Sequence, residues 1–351
     1  MSRQRASIVG RLALVALLVA SGVGASPAAG ARAARDAERC VRDGRYVMGT
    51  VLQVELCSAS GARERDLARV FGTAQRLDGL LTTWRPDGPT SRLNAHAGRG
   101  LAPLPPEVVE LLALSREYAV VTRGTFDVTV GPLVALWRSA AERGTLPGEA
   151  AIAAARARVG SRHIALAADG SGAALDAHDM TVDFGGIGKG YALDRIAAAL
   201  RASGTDSALV DFGRSSIQAI GSPPGAEGWR LLLAHPAGRG VGVVTLRDQA
   251  MSVSGSFGQS SEIEGRRFGH VLDPRTGWPL ERDLLAAVVA PTGAAAEALS
   301  KALLLLGERD GIALLERQGG VEGLLATADG RTWTTRGWHA AVAFEPAPPG
   351  A

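Results

Sequence analysis

The chain has 351 residues, of which 46% are apolar and 21% charged, a composition typical of a soluble globular protein with a sizeable core. Its formal charge is +3, but residues 1–33 carry four arginines and no acid, so the remainder has 34 basic and 35 acidic residues. This near-neutral balance argues against nucleic acid as a partner of the folded part.

Residues 1–33 are predicted to be a secretory signal peptide, because arginines precede an apolar run at 12–20 and small residues at 23–25 and 29–31 offer two cleavage sites. The run is short for a membrane-spanning helix and no cysteine follows it, so we expect no stable membrane anchor. We therefore expect a periplasmic or secreted protein. In such an oxidising compartment the two cysteines are either disulfide-bonded or unpaired, and the sequence leaves both open.

Behind a predicted tail at 34–43, residues 44–340 are expected to form one domain, followed by a disordered tail at 341–351. The apolar periodicity predicts helices at 63–81, 106–122, 149–159, 190–202 and 295–306. It predicts strands at 46–56, 208–211, 218–220, 229–235, 241–246 and 285–290 and one ending at 184, a turn-rich segment at 82–100, and a compact loop or strand at 124–131. Helices and strands mix without a regular βαβ rhythm, which favours an α+β fold.

The glycine-rich run 183–191, DFGGIGKGY, is the sharpest candidate for ligand binding. Backbone N–H groups and a helix N-terminus can face a phosphate there, and Lys189 can neutralise its charge. The spacing is neither that of a P-loop nor that of a dinucleotide fingerprint, and the alternative is an ordinary strand-to-helix turn. Lys189 and Lys301 are the only lysines among 38 basic residues, which suggests positions where a compact ammonium is needed.

Four further residues could carry chemistry, each with a plainer alternative. His270 lies three residues before Asp273 and can act as a proton acceptor, although an isolated histidine is more often structural. Trp84 on the turn-rich segment can stack on a flat ring, or it is a core residue. Asp127 lies among glycines and apolar residues that could be plain packing.

Glu297 and Lys301 are four residues apart on a predicted helix. On local grounds this spacing indicates an ordinary ion pair worth a few tenths of a kcal/mol.

Together these segments resemble, in order, six motifs of the ApbE flavin transferase family across roughly residues 44–330. Each match is weak alone, but six in the family's order are specific. The matching stretches are Met48-Gly49-Thr50, Trp84 to Asn94, Gly124 to Leu133, Asp183 to Asp194, Ser254-Gly255 and His270 to Gly277.

The resemblance implies an α+β fold in which mixed or antiparallel sheets and helices surround a flavin cleft. It implies that FAD is the substrate and is split at its pyrophosphate. FMN then passes as a phosphoester to a Thr or Ser of an exported or membrane flavoprotein, and AMP leaves.

The resemblance also assigns roles to individual residues. His270 is the expected base, with Asp273 orienting it or binding nearby, while Trp84 stacks on the flavin and Lys189 serves the phosphates. The other cofactor-binding positions that it implies are Met48, Thr125, Phe126, Asp127, Gly186, Ser254, Gly255 and Arg275.

The chain departs from the family at the positions that hold magnesium. The family uses an Asp, a Thr four residues later and a backbone carbonyl, where this chain has Glu297, Lys301 and Gly188. An ammonium cannot ligate and would repel a divalent cation, so Lys301 could instead replace the metal and pair with Glu297 or with phosphate. Arg214 and Val253 are two further departures, since the family has a glycine and a hydroxyl there.

Three functions therefore stay open. A transferase with an altered or metal-independent phosphate site is favoured by Lys189, His270 and Asp273. A flavin-binding carrier that has lost transfer is favoured by Glu297, Lys301 and Arg214. A hydrolase would use the same site with water as the acceptor.

Overall fold

The computed structural model describes residues 40–57, 63–235, 238–256 and 258–348. The predicted signal peptide lies outside these residues. Among the helices that the structure describes, none is long and apolar enough to cross a membrane.

Helices and antiparallel strands alternate irregularly along the described chain. The helices are α1 Arg63–Leu81, α2 Pro89–Ala95, α3 Pro106–Val121, α4 Gly131–Arg143, α5 Glu149–Arg156, α6 Gly188–Ala202, α7 Gly293–Leu315 and α8 Trp338–Ala341, with 3-10 turns at Val128–Val130 and Ser161–His163. The strands are β1 Cys40–Val47, β2 Thr50–Cys57, β3 Ala102–Pro103, β4 Ile164–Leu166, β5 Gly172–Leu175, β6 Ala208–Phe212, β7 Ser216–Ile220, β8 Trp229–Ala234, β9 Gly240–Leu246, β10 Ala250–Gly255, β11 Ser260–Ile263, β12 Arg266–Gly269, β13 Leu284–Ala290, β14 Glu322–Thr327, β15 Thr332–Thr334 and β16 Glu345–Pro346.

The central feature is an eight-stranded antiparallel sheet in the order β1-β2-β6-β7-β10-β13-β14-β15. Strand β13 is buried on both faces. Its even-numbered residues, 284 to 290, pack in one cluster with α7, and its odd-numbered residues, 285 to 289, pack in another with β8, β9 and α8. This two-residue alternation places helices on one face of the sheet and a small second sheet, β16-β9-β8, on the other. The predicted α+β class is confirmed.

Helices α6 and α7 cross on the helical face with their backbones in contact. A Cβ built on Gly190 would lie 2.2 Å from the carbonyl oxygen of Gly293, and one on Gly293 would lie 2.5 Å from the carbonyl oxygen of Gly190. Real Cβ atoms do not approach this closely, so both positions require glycine. The crossing brings the first turns of the two helices together.

The predicted helices are confirmed to within a few residues, except that α7 continues past 306 to Leu315 across a non-helical Gly307. Three strand and loop predictions are wrong. The segment 46–56 is two strands, because Met48 and Gly49 both have positive φ and form the turn between β1 and β2. Residues 182–184 form no strand, and the segment 82–100 contains helix α2.

Strands begin or end inside both segments that the sequence predicts to be tails. Strand β1 begins at Cys40, inside the predicted tail 34–43, because it pairs along its whole length with β2. In the predicted tail 341–351, Val342 is buried and Glu345 pairs with Val243 of β9. Strand pairing and apolar contacts with residues distant in the sequence fix the structure of these segments. The local composition does not reveal such contacts.

The cysteines form a disulfide between Cys40 and Cys57, which face each other at the ends of β1 and β2. This settles the choice that the sequence left open. The bond joins the edge strand β1 covalently to β2.

We predict that Cys40→Ser combined with Cys57→Ser lowers the free energy of unfolding by about 3 kcal/mol, because the bond closes a loop in the unfolded chain. Urea unfolding of both proteins with and without reductant measures this. Reductant should destabilise the wild type to the level of the double variant and leave the double variant unchanged. A wild type insensitive to reductant would contradict the prediction.

Candidate active site

Lys189 lies in the first turn of α6 and points towards the β6–β7 turn. Its Nζ donates to Ser215 Oγ at 2.8 Å and lies 3.9 Å from Glu297 Oε1 on α7. The predicted glycine-rich run is thus a turn into a helix, as expected. Its lysine is partly buried beside a carboxylate rather than free on the surface.

Glu297 is 1% exposed and is the buried anion of the site. Ser216 Oγ donates to Glu297 Oε1, while Oε2 is buried and finds no hydrogen-bond partner among the residues that the structure describes. One helical turn later, burial lowers the pKa of Lys301 to about 8, with Glu297 opposing the shift and Lys189 adding to it. Among the described residues the ion pair predicted between Glu297 and Lys301 is not formed, because Glu297 pairs with Lys189 instead and interacts with Lys301 only at longer range. The three residues form a charged cluster.

A chain of serine hydroxyls runs beside this cluster. Ser300 Oγ lies 3.1 Å from Ser252 Oγ and 2.8 Å from Ser254 Oγ, and it contacts the carbonyl of Glu297 at 2.9 Å. Ser254, which is predicted to bind the cofactor, is thereby hydrogen-bonded to a residue of α7. The neighbouring Gly255 ends β10, and Val253 is buried in the core.

Two aspartates next to the cluster fix the N-terminus of α7 and the turn between β6 and β7. Asp194 on α6 accepts the N–H groups of Gly293 and Ala294 at 2.6 and 3.1 Å, so it binds the N-terminus of α7. Asp211 accepts the N–H of Arg214 at 2.7 Å, which stabilises that residue at φ 60°. Burial raises the pKa of Asp194 and of Asp211 to about 6 despite these hydrogen bonds.

His270 follows β12 and lies opposite Gln259, at the open end of the hairpin β11–β12. Its Nδ1 lies 3.0 Å from the carbonyl oxygen of Gln259 and 3.3 Å from the backbone N of Gln259. We assign the proton to Nδ1 on the shorter contact, which leaves Nε2 as an acceptor. The ring remains exposed on one side. Surrounding protein atoms, and then the ammonium groups of Lys301 and Lys189, lower the pKa of His270.

Asp273 binds Arg275 and does not orient His270. Its carboxylate accepts from Arg275 Nε at 3.0 Å and from Arg275 Nη2 at 2.8 Å. The Asp-Pro-Arg turn that follows is anchored by Trp137, whose Nε1 donates to the carbonyl of Gly277 at 2.8 Å. Of the two roles predicted for Asp273, orienting His270 does not fit this geometry, because the backbone of Gln259 takes that place, and binding nearby stays a prediction.

Trp84 is 80% exposed, which excludes the alternative of a core tryptophan. The guanidinium of Arg138 lies over its ring at 5.2 Å. The ring is therefore available for stacking at the surface. Met48 and Gly188 also come together, since a Cβ on Gly188 would lie 3.7 Å from Met48 Cε.

The segment 124–131 has a structural role in this geometry. Asp127 Oδ1 accepts from the backbone N and the hydroxyl of Thr129 at 2.9 and 2.6 Å, and Oδ2 accepts from Ser161 N at 2.8 Å. Thr125 is buried and donates to the carbonyl of Thr122 at 2.9 Å. Phe126 lies in the core, 3.4 Å from where a Cβ of Gly186 would be. The cofactor-binding role that the resemblance implies for these three residues stays a prediction.

Sequence reasoning missed five polar residues of the site. None of the sequence motifs includes the four serines, Ser215, Ser216, Ser252 and Ser300. Gln259 acts through its backbone, so its residue type does not reveal its role. Their proximity to the lysines depends on strand pairing, which joins Ser216 to Ser252 across β7 and β10.

Two cavities of about 170 and 490 Å³ lie away from these residues. The first is bordered by Arg239 and Phe344, and the second by Arg116 and Val120. Neither is lined by any residue of the charged cluster or by His270. We therefore place the active site by side-chain chemistry, at the crossing of α6 and α7.

The ApbE family model matches residues 48–325 of the chain. A FAD:protein FMN transferase of Klebsiella pneumoniae (strain 342) is 32% identical over 324 residues, which cover 90% of each chain. One of Treponema pallidum (strain Nichols) is 31% identical and covers 83% of this chain and 85% of its own.

Solved structures show the same likeness. The flavinyl transferase ApbE of Pseudomonas stutzeri, in its apo form, is 30% identical with a TM-score of 0.75, over 86% of this chain and 96% of its own. The ApbE protein of Thermotoga maritima has a TM-score of 0.77 at 22% identity, over 86% of this chain and 98% of its own, and this likeness concerns the fold alone.

We predict that Asp194 and Asp211 make the protein less stable as pH rises. A carboxyl whose pKa is raised on folding binds its proton more tightly in the folded state, so stability falls between about pH 4 and pH 6. The expected loss is on the order of 2 kcal/mol per group. Thermal unfolding across this range measures it.

The variants Asp194→Asn and Asp211→Asn should each remove part of this slope, and the double variant should remove most of it. The slope is the readout, because either variant can also lower stability at every pH. An unchanged slope in the double variant would contradict the prediction.

Proposed function

The chain belongs to the ApbE family, and on this premise we propose that it is a FAD:protein FMN transferase. FAD is its substrate, and FMN passes to a threonine or serine hydroxyl of an acceptor flavoprotein while AMP leaves. The observation that carries this proposal is the placement of His270, whose pKa is lowered by burial and then by the ammonium groups of Lys301 and Lys189, while its Nδ1 contacts the backbone of Gln259. A neutral base and fixed cations are what phosphoryl transfer from a pyrophosphate requires.

Each step of the reaction has a residue suited to it. The acceptor hydroxyl oxygen attacks the phosphorus of the FMN half, and its proton moves to His270 Nε2. The bond from this phosphorus to the bridging oxygen breaks, and AMP leaves with the electron pair. Lys189 and Lys301 offset the negative charge that develops on the phosphates. Exposed Trp84 supplies a surface on which the isoalloxazine can stack.

Magnesium fits this cluster poorly. The cluster offers one carboxylate, and Glu297 Oε1 already accepts from Ser216 and lies near Lys189. Magnesium prefers six oxygen ligands in octahedral geometry, whereas Lys301 contributes an ammonium that cannot ligate. We therefore derive no step of the reaction through a metal ion.

A periplasmic or secreted location belongs to the same proposal. The disulfide between Cys40 and Cys57 supports it, because such bonds persist in oxidising compartments. The predicted signal peptide supports it as well. The acceptor would then be an exported or membrane flavoprotein that presents its hydroxyl outside the cytosol.

The test is a labelling assay with the purified protein, FAD and an acceptor domain of an exported flavoprotein. We expect covalent flavin fluorescence on the acceptor after denaturing electrophoresis, together with release of one AMP per label. AMP released without labelled protein would identify a hydrolase. Tight FAD binding with neither AMP nor label, across several acceptors, would identify a carrier.

We predict that His270→Gln slows transfer by about 10²–10⁴-fold, because the variant lacks the proton acceptor. The dissociation constant for FAD should change little, since the imidazole acts on the attacking hydroxyl. Single-turnover labelling and FAD titration measure the two effects separately. The matched control is His339→Gln, an exposed histidine in α8 on the other face of the main sheet. Equal transfer rates in the two variants would contradict this role for His270.

A further inference from the structure

The charged cluster at the crossing of α6 and α7 contains two lysines that differ in their partners. Two ammonium groups, Lys189 and Lys301, accompany one buried carboxylate, Glu297. Glu297 is 1% exposed, so its charge needs a fixed partner nearby. One lysine would be sufficient to balance it, and Asp211 gives Lys189 a second carboxylate neighbour. Among the residues that the structure describes, Lys301 is therefore the lysine of this cluster that lacks a carboxylate of its own.

Lys189 already has its partners. It donates to Ser215 Oγ at 2.8 Å and lies 3.9 Å from Glu297 Oε1. Because an ammonium has three donors, at least one N–H of Lys189 remains for a ligand.

Lys301 is partly buried, yet its ammonium makes no hydrogen bond and no salt bridge within 4 Å to any residue that the structure describes. An ammonium without acceptors in a partly buried position is costly unless a ligand supplies them. Its electrostatic neighbours are Glu297, four residues earlier on α7, and Lys189 on α6. The donors of Lys301 therefore belong to the same site as those of Lys189.

We propose that Lys301 acts as a built-in cation, so that this site binds the pyrophosphate of FAD without a divalent metal ion. The inference rests on the proposed function in taking FAD as the ligand. Lys301 and Lys189 together offer several charged N–H donors to phosphate oxygens, and Glu297 lies 3.9 Å from the ammonium of Lys189. A divalent ion added to this cluster would face two ammonium groups and a single carboxylate.

The test compares FAD and riboflavin binding by isothermal titration calorimetry, without an acceptor protein. Riboflavin has the same ring system and no phosphate. We expect the FAD affinity of the wild type to agree within about twofold between a chelator and millimolar magnesium. Elemental analysis of the purified protein should find no stoichiometric divalent metal. FAD affinity that falls in chelator and returns with magnesium would overturn the proposal.

Two variants separate the ligand role of Lys301 from charge balance within the protein. Lys301→Met should weaken FAD binding by about tenfold or more and leave riboflavin binding unchanged. Equal losses for both ligands, or no loss for either, would overturn the proposal. Lys301→Thr combined with Glu297→Asp supplies oxygen ligands and should make FAD binding depend on magnesium. The wild-type measurements decide the question even where a variant fails to fold.

Failure of this inference and failure of the proposed function give different results. Metal-independent FAD binding without transfer to any acceptor would contradict the transferase proposal and support the role of Lys301. Transfer that occurs only with magnesium would contradict the role of Lys301 and support the transferase.

Discussion

The contact between the first turns of α6 and α7 is the constraint on which the site depends. Gly190 and Gly293 let the two backbones touch, and Asp194 accepts the N–H groups at the N-terminus of α7. Because of this contact, Lys189 on α6 reaches within 3.9 Å of Glu297 on α7. A side chain at either glycine would separate the helices and thereby the charges. The main sheet supports this arrangement from below, through β7 and β10.

The same contact explains why buried charge is tolerated here. A carboxylate that is 1% exposed would be strongly destabilising alone, but Ser216 and Lys189 lie next to it. The surrounding serines form hydrogen bonds with one another and with the carbonyl of Glu297, and they add no charge. The ammonium of Lys301 therefore remains available to a phosphate, and together with Lys189 it adds to the effect of burial in disfavouring the protonated form of His270. One electrostatic arrangement thus serves both substrate binding and the proton acceptor.

Residues at the functional positions of the family, whether they match or depart from it, divide into two groups once the structure is known. Lys189, His270, Glu297 and Lys301 converge on one site. Asp127 and Asp273 instead satisfy backbone and side-chain donors of their own turns, with contacts to Thr129, Ser161 and Arg275. A sequence motif includes both groups alike, because a turn that positions a catalytic residue needs particular residue types just as the catalytic position does. Only the hydrogen-bond partners distinguish them.

The sequence by itself determined the family resemblance, the α+β class, the main helices and the identity of the unusual lysine at 301. These depend on local periodicity and on the order of motifs, which one chain displays. The tertiary structure alone decided the pairing of the cysteines, the exposure of Trp84, the role of Gln259 and the serines around Glu297. Those features join residues far apart in the chain, through strand register and helix crossing. Local residue patterns cannot specify such contacts, because they arise only when the sheet and its helices pack.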